Sequence, residues 1–94
     1  MTVSKVKIFS LARYVEIALR RAEYARDENG MVVANVDGHP GSFAQGETHE
    51  EARSNLEDVI EGNILLALQL GWDVPPLAGV DIREQDVETN SALG

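Results

Sequence analysis

The chain has 94 residues, of which 44% are hydrophobic and 26% charged, which is typical of one small globular domain and excludes a largely disordered chain. Eight basic against sixteen acidic side chains give a net charge of −8, which argues against a nucleic-acid-binding protein, because phosphate contacts need clustered Lys and Arg. The chain has no cysteine and its longest uninterrupted apolar run is residues 64–68, so a disulfide framework and a membrane-spanning helix are excluded and we expect a cytoplasmic protein.

The N-terminal third of the chain is predicted to contain an arm followed by a helix. Residues 1–9 form the arm, and Ser10 is a suitable N-cap for a first helix over residues 11–22. Apolar side chains recur at helical spacing at Leu11, Val15, Ala18, Leu19 and Ala22. The helix therefore has one apolar face, which must pack on the rest of the domain.

An antiparallel meander of three short strands is predicted next, over residues 23–27, 31–36 and 42–45. Asn29 and Gly30 are expected to supply the two positive-φ positions of a type I′ hairpin turn. Pro40 and Gly41 suit the central positions of a type II turn. In the second strand the apolar side chains alternate, which places three of them on one face: Val32, Ala34 and Val36.

The second helix has the clearest local signals. Gly46 allows the chain to bend sharply, and Thr48 with Glu51 forms a capping box that starts the helix. Gly71 is a natural C-terminal stop. The expected core stripe consists of Ala52, Leu56, Val59, Ile60, Ile64, Ala67 and Leu70. Over residues 64–68 the helix is apolar nearly all round, so we expect its outer side to meet a second subunit or another partner.

Pro75 and Pro76 break the helical pattern, and a short final strand is predicted over residues 80–83. Residues 84–94 are polar and are predicted to be a disordered tail. The sequence thus predicts an α+β fold in the order α-β-β-β-α-β, with one domain over residues 10–83. A three-stranded meander and a fourth strand are expected to pack on the long helix.

Few residues suit catalysis or metal binding. His39 lies in the Pro-Gly turn and His49 in the first turn of the second helix, and two histidines among scattered acids do not define a metal site. No segment has the spacing of a phosphate-binding loop or an activated serine. We therefore expect no enzymatic activity, cofactor or metal. Glu50, Glu57 and Glu61 share one helix face, which is a solvated surface, a site for a hard cation, or a contact for an arginine-rich partner.

Residues 36–52 resemble the HicB antitoxin family, in which a strand, a Pro-Gly turn and a short strand lead into a G-x-T-x-x-E-A motif. Here that motif is Gly46, Thr48, Glu51 and Ala52. The exit from the helix, Gly71 followed by the Pro75-Pro76 pair, is similar as well. The resemblance implies a trimmed ribonuclease H-like fold and a partner similar to HicA, a small basic toxin that cleaves mRNA. The motif residues make turns and caps, so they identify a scaffold and not a chemistry.

These observations lead to the hypothesis of a homo-oligomeric antitoxin that occludes a HicA-like toxin without itself binding nucleic acid. The residues expected to contact the toxin are Asp37, His39, Phe43, Glu50, Glu57 and Glu61. Many relatives carry a C-terminal DNA-binding segment, but only eleven residues follow Arg83, so operator binding is not expected. The alternatives are an orphan oligomeric adaptor or small-ligand-binding domain, and a residual nuclease.

Overall fold

The computed structural model describes residues 2–39 and 41–89, with the backbone alone for residues 2–5 and 89. The fold is α+β, as predicted. Its elements are β1 (Thr2–Ile8), α1 (Leu11–Arg20), β2 (Ala22–Arg26), β3 (Val32–Val36), β4 (Phe43–Gly46), α2 (His49–Leu70) and β5 (Arg83–Thr89). The order is therefore β-α-β-β-β-α-β, with one strand more than predicted.

The first helix begins where the sequence indicates and is two residues shorter. The Ser10 hydroxyl accepts a hydrogen bond from the Arg13 amide at 3.1 Å, which caps the helix. The helix ends at Arg20 because the chain enters β2 at Ala22. Its buried side chains are Tyr14, Val15, Ile17, Ala18 and Leu19.

The meander forms a three-stranded antiparallel sheet in the order β2-β3-β4, as predicted. The turn between β2 and β3 differs from the prediction of a type I′ turn. A type I′ turn needs a positive φ at both of its central residues. Gly30 has a φ of 81°, but no described residue other than glycine has a positive φ, so Asn29 does not meet this requirement. The reason lies in Asp27, whose carboxylate accepts hydrogen bonds from the amides of Asn29 and Met31 and so closes a five-residue loop.

The turn between β3 and β4 agrees with the prediction where it is described. Gly41 has a φ of 79°, and the Ser42 amide donates to the His39 carbonyl at 3.2 Å, as expected across a type II turn. Pro40, the other predicted central residue, lies outside the described residues. The last strand of the meander, β4, begins at Phe43 rather than at the predicted Ser42.

The second helix confirms its predicted ends. The Thr48 hydroxyl accepts from the Glu51 amide at 3.1 Å, and Gly71 ends the helix in the left-handed conformation with a φ of 71°. Five residues of the predicted stripe are buried: Ala52, Leu56, Ile60, Ile64 and Ala67. Val59 is only partly buried, and Leu70 is 52% exposed, so its prediction as a core residue is wrong.

The hydrophobic core lies between the two helices and one face of the sheet. The predicted face of β3, with Val32, Ala34 and Val36, is buried against the helices. Val74 and Leu77, from the segment that follows α2, complete the core. The chain after α2 is thus held against the domain, which positions the candidate site described below.

The two terminal strands form a separate antiparallel pair, which we call the ribbon. Its register runs from Thr2 opposite Thr89 to Ile8 opposite Arg83. The prediction of a final strand over residues 80–83 packed on the long helix is therefore wrong, and so is that of disorder over residues 84–89. Residues 90–94 of the predicted tail lie outside the described residues.

The ribbon makes the molecule elongated. The principal extents are 58 × 25 × 18 Å and the radius of gyration is 16.7 Å, whereas a compact domain of this length has about 12 Å. No helix in the described part of the chain is long and apolar enough to cross a membrane.

Candidate functional site

A buried cluster of three polar side chains joins α1, the turn before β4 and the segment after α2. The Tyr14 hydroxyl donates to the Pro75 carbonyl at 2.6 Å and lies 2.5 Å from Nε2 of His39. On the other side of the ring, Nδ1 lies 2.5 Å from the Ser42 hydroxyl. All three side chains are buried. We call this cluster the polar hub.

The hydrogen-bond partners assign the protons of the hub. A tyrosine hydroxyl has one hydrogen, and Tyr14 gives it to the Pro75 carbonyl. The contact between Tyr14 and His39 is then satisfied if Nε2 carries a hydrogen and donates it to the tyrosine oxygen. Nδ1 accepts the hydroxyl hydrogen of Ser42. The neutral imidazole is thus fully paired, and the hub fixes the turn in one position relative to the two helices.

Acid is expected to destabilise the protein through His39. Burial, the larger effect, lowers the pKa of its imidazole, and a backbone hydrogen bond partly opposes the shift. Between the unfolded pKa of about 6.5 and the lower folded pKa, the unfolded chain binds more protons, so the free energy of unfolding falls as the pH decreases. Urea denaturation between about pH 7.5 and pH 5.5 measures this slope. His39→Gln is expected to flatten it, whereas His49→Gln, at an exposed histidine, is expected to retain it. An equal slope in both variants would contradict this role of His39.

A groove runs along one side of the turn, between β3 and β4. This turn groove has a volume of about 370 Å³. Its lining residues are Asn35, Val36, Asp37, Gly38, His39, Gly41, Ser42 and Phe43. Phe43 is 66% exposed, and Asp37 is exposed as well. The groove therefore presents an aromatic ring and a carboxylate on a wall that the hub supports from behind.

A second depression, the exit cleft, lies on the other side of the same turn. It has a volume of about 250 Å³, and its lining residues are His39, Gly41, Asn63, Ile64, Leu66, Ala67, Trp72, Asp73 and Pro75. Leu66 and Trp72 are exposed, Trp72 by 59%. The side-chain amide of Asn63 (Nδ2) donates to the Gly41 carbonyl at 3.2 Å and ties the turn to α2. One wall, made by His39 and Gly41, thus separates two open depressions with an exposed aromatic ring in each.

The predicted acidic stripe lies on a different side of α2. Glu50 and Glu57 are exposed and Glu61 is partly buried, and the three share one face. At 100° per residue, Glu57 lies about 120° around the helix from Asn63, the residue that holds the turn. The predicted partner-binding residues therefore form two surfaces: Asp37 and Phe43 at the turn groove, and the glutamates on the other flank of α2.

The prediction that His39 contacts a partner directly does not agree with the structure. The side chain is 5% exposed, and both ring nitrogens have partners inside the protein. His39 instead holds the wall between the two depressions. Within residues 2–39 and 41–89, no group of three His, Cys, Asp or Glu side chains could hold a metal ion.

Sequence reasoning missed three residues that shape the site. Tyr14 lies on the buried face of α1, three residues after Leu11, and that helical spacing could have identified it. Asn63 and Trp72 have no such signal, because their roles depend on how the turn and the exit segment lie against α2. The sequence alone therefore does not indicate that these elements meet.

Comparison with known proteins places the chain in a family. A family model described as UPF0150-like matches residues 13–75, which is more than half of the chain. The protein therefore belongs to the UPF0150 family. The matched region runs from α1 to the Pro75 carbonyl of the hub, and both strands of the ribbon lie outside it.

Two relatives give the extent of the similarity. UPF0150 protein Ta0767 of Thermoplasma acidophilum is 44% identical over 39 residues, which are 42% of this chain and 56% of that protein. The chain thus matches about half the length of this relative. The crystal structure of TTHA0281 from Thermus thermophilus is similar with a TM-score of 0.69 and 30% identity, covering 85% of this chain and 94% of that chain.

Proposed function

We propose that the protein is a non-enzymatic binding domain of the antitoxin type, which occludes a small basic ribonuclease similar to HicA. The observation that carries the proposal is the pair of exposed aromatic rings, Phe43 and Trp72, on the two sides of the turn that the hub supports. Membership of the UPF0150 family and the resemblance of residues 36–52 to the HicB antitoxins support the same function.

A hydrogen-bonded wall with an exposed aromatic side chain on each side suits protein recognition. Aromatic residues are enriched among the few side chains that dominate binding energy at protein interfaces. Because the hub already holds the turn, little conformational entropy remains to be lost when a partner binds. Asp37 and Asp73 line the two depressions, and their carboxylates offer contacts to Lys or Arg side chains of a basic partner.

The N-terminal half of α2 is acidic and would attract a basic partner electrostatically. Residues 49–61 contain five acids and one basic residue, Arg53. Exposed charges of one sign accelerate the encounter with an oppositely charged protein, and salt weakens this effect. The acidic stripe is therefore expected to set mainly the association rate. The contacts in the two depressions are expected to set mainly the lifetime of the complex.

Charge reversal of the stripe tests this assignment. The triple variant Glu50→Lys, Glu57→Lys and Glu61→Lys is expected to slow association with the toxin by about tenfold at low salt, and much less at high salt. The measurement is the association rate by stopped-flow or surface plasmon resonance. The matched control reverses three exposed acids outside α2, Glu23, Glu28 and Glu88, and is expected to slow association less. An unchanged low-salt rate in the stripe variant would remove the stripe from the interface.

A small-ligand-binding domain is the second candidate, and the exit cleft is the feature that favours it. Its volume of about 250 Å³ is slightly below the range of about 300–1,000 Å³ that is usual for ligand pockets. It is also open, and the turn groove of about 370 Å³ lies beside it. A protein that covers both depressions fits this surface better than a small molecule in one of them.

A further inference from the structure

The backbone at the end of α2 holds Trp72 in a defined position. Its amide donates to the Ala67 carbonyl at 2.8 Å. With the hydrogen bond from the Gly71 amide to the Leu68 carbonyl at 3.4 Å, this completes a Schellman motif. The Trp72 carbonyl in turn accepts from the Lys7 ammonium group at 3.1 Å. Trp72 is nevertheless 59% exposed, so these bonds fix its backbone and leave the ring available for binding.

The exit cleft, which Trp72 borders, combines apolar walls with one charged group. Ile64 and Leu66 supply aliphatic side chains from the last turns of α2. Among the described lining residues only Asp73 carries a charge, because the imidazole of His39 is neutral. The Asp73 side chain is 100% exposed. An apolar slot with a carboxylate at its edge matches a lysine or arginine side chain, which has an aliphatic stem and a positive end.

The charges around the end of α2 also favour a cation. The Lys7 ammonium group lies 3.4 Å from Oδ1 of Asp73 and 3.8 Å from Glu84, so one lysine faces two carboxylates and a negative charge remains. The last turn of the helix has no basic residue, although the C-terminal end of a helix attracts positive charge. Lys7 lines the neighbouring cleft beside the ribbon and not the exit cleft. The exit cleft thus lacks a cation of its own.

We infer that the exit cleft holds one arginine side chain of the partner, with its guanidinium group stacked on the Trp72 ring and hydrogen-bonded to the Asp73 carboxylate. Arginine is favoured over lysine, because the planar guanidinium group both stacks on an aromatic ring and donates parallel hydrogen bonds to a carboxylate. The volume of about 250 Å³ suits one side chain rather than a drug-sized ligand. The inference rests on the proposed function for the protein that presents the arginine.

The turn groove differs, although it also places an aromatic ring, Phe43, near a carboxylate, Asp37. Val36 is the one aliphatic side chain larger than a methyl group among its described lining residues, and it is 3% exposed. The stem of an arginine therefore finds no aliphatic wall in this groove. Phenylalanine also attracts a cation less strongly than tryptophan does. The arginine is thus assigned to the exit cleft, and the turn groove serves as an internal comparison.

Tryptophan fluorescence tests the inference, because Trp72 is the only tryptophan of the chain and its emission reports on the exit cleft. The probe is a short blocked peptide, acetyl-Gly-Arg-Gly-amide, titrated into the full chain at low salt. We expect a saturable change in emission with a dissociation constant of roughly 1 mM. The same peptide with lysine is expected to bind at least about fivefold more weakly. The peptide with citrulline, which has a similar shape without the charge, is expected to leave the emission unchanged.

Asp73→Asn retains the fluorescent ring and is expected to weaken binding of the arginine peptide at least about tenfold, with the helical circular dichroism unchanged. Asp37→Asn is the matched control, since it removes the same charge beside the turn groove, and it is expected to bind as the wild type does. The inference is overturned by an absent response to the arginine peptide, by equal binding of the arginine and lysine peptides, or by equal affinities of the two variants. The peptide needs no toxin, so a chain that binds it but captures no ribonuclease from its host retains the arginine site and loses the antitoxin function.

Discussion

The Gly46→Ala variant is expected to lose about 3 kcal/mol of unfolding free energy, the upper end of what overpacking a core usually costs. A Cβ atom at this position would lie 2.5 Å from the Ala52 amide nitrogen and 2.9 Å from the Glu51 carbonyl carbon. Both are backbone atoms in the first turn of α2, so no side-chain rotation can relieve the contact. Since small domains have about 5–15 kcal/mol in total, urea denaturation should detect the change easily.

Gly62→Ala is the matched control, because it makes the same replacement within α2. A Cβ atom at Gly62 meets no other atom within 4 Å. Alanine is favoured over glycine inside a helix, so this variant is expected to gain about 0.5–1 kcal/mol. Equal denaturation midpoints for the two variants would contradict the close packing of β4 on α2.

The His39→Ala variant is expected to lose about 2–4 kcal/mol of unfolding free energy. Removal of a buried ring leaves a cavity, and it leaves the buried hydroxyl of Ser42 without the ring acceptor described above. The turn that divides the two depressions then loses its link to Tyr14. Toxin binding is expected to weaken as a consequence, although the buried ring of His39 is not expected to contact the partner itself.

Phe43→Ala separates a structural role from a binding role. The ring is 66% exposed, so its removal is expected to change the unfolding free energy by no more than about 0.5 kcal/mol. Toxin binding is nevertheless expected to weaken by about 2 kcal/mol, which corresponds to roughly thirtyfold in affinity. For the His39→Ala variant described above, an unchanged unfolding free energy would show that the hub does not hold the turn.

Elements with local signals could be predicted from the sequence. The capping box at Thr48 and the stop at Gly71 each depend on residues within one or two helical turns, and both ends of α2 were correct. The alternation in β3 identified its buried face for the same reason. Leu70 was misassigned because the helical period does not show where the neighbouring elements end.

The ribbon was not predicted, although Val6 and Ile8 alternate with Lys5 and Lys7 in β1 as in a strand. Its partner strand β5 lies at the opposite end of the chain and has little hydrophobic signal. β5 has the sequence REQDVET, which is typical of a solvated tail when it is considered alone. Backbone pairing with β1 determines its structure. The prediction of a type I′ turn failed differently, because the carboxylate of Asp27 competes for the amides of the loop.

The sequence indicated where two of the candidate site residues lie, but not what they bind. Asp37 and Phe43 lie together at the turn groove, as the position of the Pro-Gly turn indicates. The sequence could not show that His39 faces inward, because this depends on Tyr14 and Pro75, which are distant in the chain. It also could not show that the glutamate stripe lies on another flank, since this requires the rotation of α2 relative to the sheet.

The most direct test of the antitoxin proposal is affinity capture of the tagged chain from its host, followed by an RNA-cleavage assay on the protein released from it. We expect a small basic partner, recovered in nearly equal amount, that cleaves RNA once separated. Re-addition of the wild-type chain is expected to stop cleavage, and re-addition of Phe43→Glu to fail. Recovery of the chain with no such partner, or of a partner whose RNA cleavage the chain does not inhibit, would contradict the proposal.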